Sequence, residues 1–212
     1  MARMNAVPSS VLDIAPVIPV VVLDDAEQAV PLARALVAGG LRAVEITLRT
    51  PAAVDAIRAV AAEVPEAVVG AGTVLRAADV ERAAEAGARF LVSPGWTPAL
   101  VDAMQKSNLP FLPGVSTASE VVGLLERGVT EMKFFPAEAA GGVPYLKALV
   151  SPFPQVRFCP TGGMTAAGAP AYLRLPNVAC VGGSWMLPAD AVGARDWGRV
   201  EKLAAEAAAL SS

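Results

Sequence analysis

The strongest constraint on the fold is a repeat of short apolar runs, rich in β-branched residues, that alternate with amphipathic, alanine-rich stretches. Eight such runs follow one another at intervals of roughly 20 to 27 residues, a spacing typical of strand–helix units. They occupy residues 17–22, 43–47, 67–71, 90–93, 111–114, 131–134, 157–161 and 178–182. The repeat predicts an α/β protein built on a parallel sheet.

The segments between the runs end in a common pattern. A glycine closes each predicted helix in AGGLRAVEI, EAGARFLVS and ERGVTEMKF, and a short apolar run follows at once. Glycine suits this place because it adopts the left-handed conformation that ends many helices. Helices are predicted over 26–38 and over 51–64, where Pro51 suits the first turn. A loop is expected over 138–142 and a short helix over 145–150.

Eight strands that alternate with helices predict a (β/α)8 TIM barrel, with residues 1–212 as a single domain. Residues 1–15 are expected to form a helical or extended lead-in, and residues 197–210 a C-terminal helix. A doubly wound open sheet would permit the same order of elements, but it usually carries a glycine-rich nucleotide fingerprint after its first strand. The sequence VLDD follows that strand here, so the barrel is preferred.

The chain contains no histidine and only two cysteines, Cys159 and Cys180. These absences exclude a Ser-His-Asp triad, a Cys-His pair, a histidine-bound metal and a four-thiolate zinc site. No metal and no cofactor are expected, and proton transfer must fall to Glu, Asp, Lys, Tyr or water. The cysteines are interpreted as small buried hydrophobic residues.

Charge and hydropathy limit the partners of the protein. A net charge of −3 argues against a nucleic-acid surface, which needs a basic stripe. The apolar stretch 17–23 contains a proline and is too short to cross a bilayer, and residues 1–10 lack a secretory pattern. We therefore expect a cytoplasmic protein with no nucleic-acid or membrane partner.

Polar residues and glycines collect where the predicted strands end. In (β/α)8 barrels these ends and the loops after them form the active site. The residues at these ends are Glu45, Thr47, Arg49, Gly70, Gly72, Thr73, Ser93, Pro94, Gly95, Pro113, Gly114, Ser116, Thr117, Lys133, Thr161, Gly162, Gly163, Gly182, Gly183 and Ser184. The sequence therefore predicts a polar site at one end of the barrel.

Lys133 is the only one of the four lysines that falls in a predicted strand. If its side chain points inward, the loss of water favours the neutral amine, which is the nucleophile that forms an imine with a carbonyl. The alternative is a lysine that reaches the rim or pairs with Glu131. Position alone leaves both open.

Glu45 and Arg49 favour the imine. Glu45, Thr47 and Arg49 alternate along an extended segment, so their side chains are expected on one side of it. A buried glutamate suits general acid/base work, and the arginine fork suits a carboxylate. A purely structural pair between Glu45 and Arg49 is the alternative.

Two glycine pairs predict an anion site. Gly162 and Gly163 follow the seventh run after Thr161, while Gly182 and Gly183 end the eighth before Ser184. Barrels often bind phosphate at these two positions through backbone N–H groups. One pair would indicate an ordinary turn, whereas two on neighbouring strands favour phosphate.

Together these groups fit a 2-keto acid with a phosphate at its far end. An imine at C2 provides an electron sink, so that the C3–C4 bond can break and release an aldehyde. A barrel that binds a phosphorylated metabolite without catalysis is the alternative from another class.

Seven ordered motifs connect the sequence with a known family. They are VEITLRT (44–50), VVGAGTVL (68–75), VSPGWTP (92–98), LPGVSTASE (112–120), MKFFPAEAAGG (132–142), RFCPTGGM (157–164) and VGGSWMLP (181–188). From residue 16 to the C-terminal helix, the chain resembles the bacterial 2-keto-3-deoxy-6-phosphogluconate (KDPG) aldolases, which also act as 4-hydroxy-2-oxoglutarate (KHG) aldolases.

The resemblance implies a class I, metal-independent aldolase in a cytoplasmic homotrimer. It would cleave KDPG to pyruvate and D-glyceraldehyde 3-phosphate, and KHG to pyruvate and glyoxylate. Lys133 would form the carbinolamine and the imine, and Glu45 would move protons. The implied substrate contacts run from Arg49 and Thr73 at the carboxylate, through Pro94 and Phe135 at the pyruvyl group and Thr161 at the hydroxyls, to Gly162, Gly163, Gly183 and Ser184 at the phosphate.

Two positions depart from the family pattern. Trp96 stands where a smaller apolar residue is common, and Ala118 stands where Pro or Val is frequent. Both bear on loop shape and on the aldehyde accepted, while the chemistry is unaffected. A galactonate-derived isomer or KHG is the alternative substrate, and under the resemblance Thr161 favours the gluconate type.

Overall fold

The strands of the protein pair in parallel throughout the described chain. The computed structural model describes residues 10–210, so residues 1–9 of the expected lead-in and residues 211–212 lie outside it. The strands are β1 (Val17–Val21), β2 (Ala43–Thr47), β3 (Val68–Gly72), β4 (Leu91–Val92), β5 (Phe111–Leu112), β6 (Gly114–Val115), β7 (Glu131–Phe134), β8 (Arg157–Pro160) and β9 (Val181–Gly183). Every pairing between them is parallel.

Helices connect the strands. They are α1 (Ala29–Ala38), α2 (Ala53–Glu63), α3 (Ala77–Glu85), α4 (Pro98–Lys106), α5 (Ala118–Leu125), α6 (Gly142–Leu149), α7 (Ala169–Leu173), α8 (Ala189–Gly193) and α9 (Trp197–Ala208). The helix expected over 26–38 begins as a 3-10 turn, and α6 begins three residues before the predicted short helix. Pro51 lies before α2 rather than in its first turn. Residues 50–52 form a turn that is closed by a hydrogen bond from Ala53 N–H to the Thr50 carbonyl.

Strand order follows chain order around a curled parallel sheet. One sheet runs β5-β4-β3-β2-β1-β9 and the other β6-β7-β8. The run expected as one strand over 111–114 is split at Pro113, whose ring nitrogen cannot donate a hydrogen bond. Isolated parallel bridges join Phe158 to Val178 and Thr161 to Gly182, next to the start of β9. The run expected over 178–182 is therefore strand only from Val181 onwards.

Two clusters of buried apolar residues determine which end of the sheet is left for polar groups. The larger cluster joins the helices to the outer face of the sheet. The smaller one lies on the inner face and contains Val11, Leu12, Ile18, Ala43, Val68, Phe90, Val92, Leu112, Cys159 and Cys180. Ala43 comes two residues before Glu45, so this inner core fills the amino side of the sheet and leaves the carboxyl side to polar groups. Both cysteines are free and buried, as the sequence predicted.

Charged residues close the amino end of the sheet. Ser10 donates to Glu131 at 2.8 Å, and Arg157 donates to Glu131 at 3.1 Å and also to Asp13. Glu131 is therefore engaged at the end opposite the expected site.

Candidate active site

The centre of the site is an ion pair between β2 and β7. The side chains of Glu45 and Lys133 are each 3% exposed, and Lys133 Nζ lies 3.4 Å from Glu45 Oε1. Opposite charges removed from water stabilise one another, and losing one partner would leave the other buried and unpaired. Lys133 thus points inward, and the alternative in which it pairs with Glu131 is wrong.

Two glycines, Gly72 and Gly114, leave space at and beside this pair. A Cβ added to Gly72 would lie 2.1 Å from Glu45 Oε1, so only glycine fits there. Gly114, the neighbour of Lys133 in β6, would place a Cβ 2.3 Å from the Pro94 carbonyl. Pro94 therefore lies against the strand beside the lysine.

Phe135 forms an apolar wall next to the ammonium. Lys133 Nζ lies 5.2 Å from the centre of the Phe135 ring, within the range of a cation–π contact. A Cβ on Gly162 would lie 3.2 Å from the same ring. The ring therefore connects the lysine to the glycine turn after β8.

Arg49 and Thr73 meet at the rim. Arg49 is exposed in the turn after β2, and its Nε donates to Thr73 Oγ1 at 3.0 Å. Thr73 has a φ of 57°, uncommon for a β-branched residue. Arg49 does not pair with Glu45, which Lys133 holds, and the structural pair considered from the sequence is wrong. The Thr47 hydroxyl is also engaged, since it donates to the Val21 carbonyl at 3.0 Å.

The two glycine pairs lie side by side. Thr161 follows β8 and bridges Gly182, whose added Cβ would lie 2.3 Å from Thr161 Oγ1. Gly162 and Gly163 have φ values of 102° and 76°, which favour glycine. Gly183 precedes the exposed Ser184. These residues form a backbone-lined rim next to Phe135.

Two side chains that the sequence did not single out border this rim. Glu138 N–H donates to the Gly162 carbonyl at 3.2 Å, and the Tyr172 hydroxyl donates to Glu138 Oε1 at 2.5 Å. Burial and the bond to Glu138 raise the pKa of Tyr172 above its usual range. A polar residue in an expected loop and a tyrosine on a distant helix carry no local signal of such a contact.

Between residues 10 and 210, His, Cys, Asp and Glu side chains form no cluster of three or more that could hold a metal ion. In the same part of the chain, no helix combines the length and apolarity needed to cross a membrane.

Comparison with known proteins agrees with this geometry. A model of the KDPG and KHG aldolase family matches residues 9–203. The chain belongs to this family. Its activity is therefore that of an aldolase, a carbon–carbon lyase.

Aldolases of this family from several bacteria are close relatives of the chain. The KHG/KDPG aldolase of Escherichia coli K12 is 55% identical over 198 residues, which cover 93% of each chain. The KDPG aldolase of Legionella pneumophila was solved with pyruvate captured as a covalent carbinolamine; it has a TM-score of 0.90 and 47% identity, and the match covers 95% of this chain and 96% of that one. The Zymomonas mobilis enzyme was solved with 3-phosphoglycerate; it has a TM-score of 0.91 and 50% identity, over 98% of this chain and 97% of that one.

Proposed function

We propose that the protein is a class I aldolase that reversibly cleaves KDPG to pyruvate and D-glyceraldehyde 3-phosphate, and KHG to pyruvate and glyoxylate. The observation that carries this proposal is the buried pair of Lys133 and Glu45, whose charged atoms lie 3.4 Å apart. The name of the Escherichia coli relative, which covers both substrates, supports it.

The pair can form the imine without an outside base. Glu45 accepts a proton from the Lys133 ammonium, and the neutral amine attacks C2 of the keto acid to give a carbinolamine. Glu45 then returns the proton to the C2 hydroxyl, which leaves as water. The carbinolamine captured in the Legionella relative is an adduct of the kind that this step requires.

Cleavage uses the same two groups. The protonated imine withdraws the C3–C4 electron pair while Glu45, directly or through water, accepts the proton of the C4 hydroxyl. The C3–C4 bond breaks, the aldehyde leaves, and an enamine of pyruvate remains. Protonation at C3 and hydrolysis by water then release pyruvate and the Lys133 amine.

The surrounding residues would bind the substrate in order from carboxylate to phosphate. Arg49 and Thr73, joined at 3.0 Å, offer a guanidinium and a hydroxyl to the carboxylate. Pro94 and Phe135 would pack on the pyruvyl group beside the lysine, and Thr161 would contact a hydroxyl. Gly162, Gly163, Gly183 and Ser184 would hold the phosphate. The 3-phosphoglycerate bound by the Zymomonas relative supports a phosphate site in this family.

We also propose that residues 1–212 form one closed (β/α)8 barrel. The bridges between β8 and the segment around β9, and the single residue between β5 and β6, support closure. A homotrimer and a cytoplasmic location remain predictions from the family resemblance. Sedimentation equilibrium tests the first, with a mass three times that of the chain expected and a monomer against it.

The test of the activity is a cleavage assay in which released pyruvate is reduced by lactate dehydrogenase and NADH loss is followed. Turnover of both keto acids is expected, with the gluconate-type C4 epimer cleaved faster than the galactonate type. Equal rates for the two epimers would contradict the role given to Thr161. Binding of KDPG without turnover would favour the non-catalytic barrel and overturn the proposal.

A further inference from the structure

The loop after β7 lies directly on the glycine turn after β8. Ala137 N–H donates to the Thr161 carbonyl at 2.8 Å, and Glu138 N–H donates to the Gly162 carbonyl at 3.2 Å. The strand that carries Lys133 therefore continues into the segment that supports the turn. A displacement of Glu138 would be transmitted to the turn through these bonds.

The Glu138 side chain lies close to the backbone of Gly163. A Cβ on Gly163 would lie 2.6 Å from Glu138 Cγ. The carboxylate is thus a negative charge beside the residues proposed to bind phosphate, where like charges repel. Binding of phosphate requires that this carboxylate be held away from the turn.

Tyr172 provides that restraint. Its ring is buried in the outer core, with 2% exposure, and its hydroxyl donates to Glu138 Oε1 at 2.5 Å. Gly142 leaves space for the contact, since a Cβ there would lie 3.0 Å from the Tyr172 oxygen. Hydrogen bonds to an ionised acceptor are short and strong, so a rigid donor fixes the direction of the carboxylate.

We propose that Tyr172 is a positioning residue that acts through Glu138: it holds the Glu138 carboxylate away from the Gly162–Gly163 turn and so sets the affinity for phosphorylated keto acids. This inference rests on the proposed function. The same contact has no role for KHG, which carries no phosphate.

Tyr172→Phe tests this, with KDPG and KHG compared on the same enzyme. The KM for KDPG is expected to rise at least about fivefold, a size suited to a partly screened like charge. Its kcat and both constants for KHG should stay within about twofold of wild type, since the imine chemistry is untouched. Tyr145→Phe is the matched control, because its hydroxyl accepts from Ala118 N–H at 3.1 Å, at the start of α5 and away from Glu138. An unchanged KM for KDPG, or an equal rise for KHG, would overturn the inference.

Glu138→Gln separates charge from loop structure. Added to Tyr172→Phe, it removes the released carboxylate and should return the KM for KDPG to near wild type. Glu138→Gln alone changes an exposed side chain, so it should leave the core intact. The KM of this single variant for KDPG should not rise. A selective rise in the single variant, or no recovery in the double one, would refute the steering of charge. Wild-type protein that cleaves neither keto acid would instead refute the proposed function.

Discussion

Glu45 and Lys133 are 88 residues apart in the chain, and their contact depends on the space that Gly72 leaves beside Glu45. Alternation in β2 predicted a shared side for Glu45, Thr47 and Arg49 and, in β7, left the direction of Lys133 open. It was not enough to predict that Glu45 and Lys133 pair with each other, because the facing partner across a curled sheet depends on register and tilt rather than on local pattern. Arg49 shows the same limit. Its hydrogen bond to Thr73 follows from a turn that alternation does not describe.

Gly72→Ala should impair catalysis by displacing Glu45. The added methyl group would lie 2.1 Å from Glu45 Oε1, so the carboxylate must move relative to Lys133. Misplacement of a catalytic group by about 1 Å can cost about 100-fold, and we expect kcat to fall at least about tenfold. Steady-state cleavage of KDPG measures it.

Gly95→Ala is the matched control for this prediction. Nothing lies within 4 Å of a Cβ at Gly95, which is also at the carboxyl end of the sheet. Its kcat should remain within about twofold of wild type. Equal activity of the two variants would show that Glu45 does not depend on the space beside Gly72.

At the scale of single elements, the polar residues after β6 serve a helix rather than the site. Thr117 is the N-cap of α5 and accepts from Glu120 N–H, while Glu120 accepts from the backbone of Ser116 and Thr117. Their position after a strand predicts that Ser116 and Thr117 belong to the site. The capping pattern Thr-x-x-Glu was present in the sequence and explains them better. Strand ends alone therefore predict more site residues than the fold uses.

Thr117→Ala should destabilise the protein by about 0.5–2 kcal/mol, the usual cost of losing a helix cap. Urea unfolding followed by circular dichroism measures the change. Ser119→Ala, at an exposed position two residues later in the first turn of α5, should have a free energy of unfolding within about 0.5 kcal/mol of wild type. Equal stability of Thr117→Ala and wild type would contradict the capping role.

At the scale of the whole molecule, the strand–helix rhythm predicted the parallel α/β architecture because each unit repeats the same burial pattern. The division into two hydrogen-bonded sheets was not predicted. The strand expected over 111–114 is interrupted at Pro113, and the segment around β9 meets β8 through isolated bridges. No local pattern predicts the hydrogen-bond network that closes the amino end of the sheet. Its members, Ser10, Asp13, Glu131 and Arg157, come from three distant segments.

This network should make stability depend on pH. The hydrogen bond from Arg157, which outweighs the effect of burial, lowers the pKa of Asp13 in the folded chain. A lowered folded pKa stabilises the fold above the ordinary value, and this contribution is lost as pH falls through the folded pKa. Asp13→Asn should therefore lower stability at pH 7 by up to about 1 kcal/mol, because the pair is largely exposed.

The difference between Asp13→Asn and wild type should shrink as pH falls below about 4, the ordinary range of an aspartate. Thermal unfolding of both proteins between neutral and acid pH measures it. A constant or growing difference would contradict the assigned pair.

Imine formation on Lys133 can be read out by reducing the protein with borohydride in the presence of pyruvate and mapping the adduct by peptide mass spectrometry. We predict one modified residue, Lys133, heavier by pyruvate less one water plus two hydrogens. Lys133→Ala should carry no adduct and Lys147→Ala should keep it. An adduct on another lysine, or no adduct in protein that cleaves KDPG, would contradict the Schiff-base mechanism.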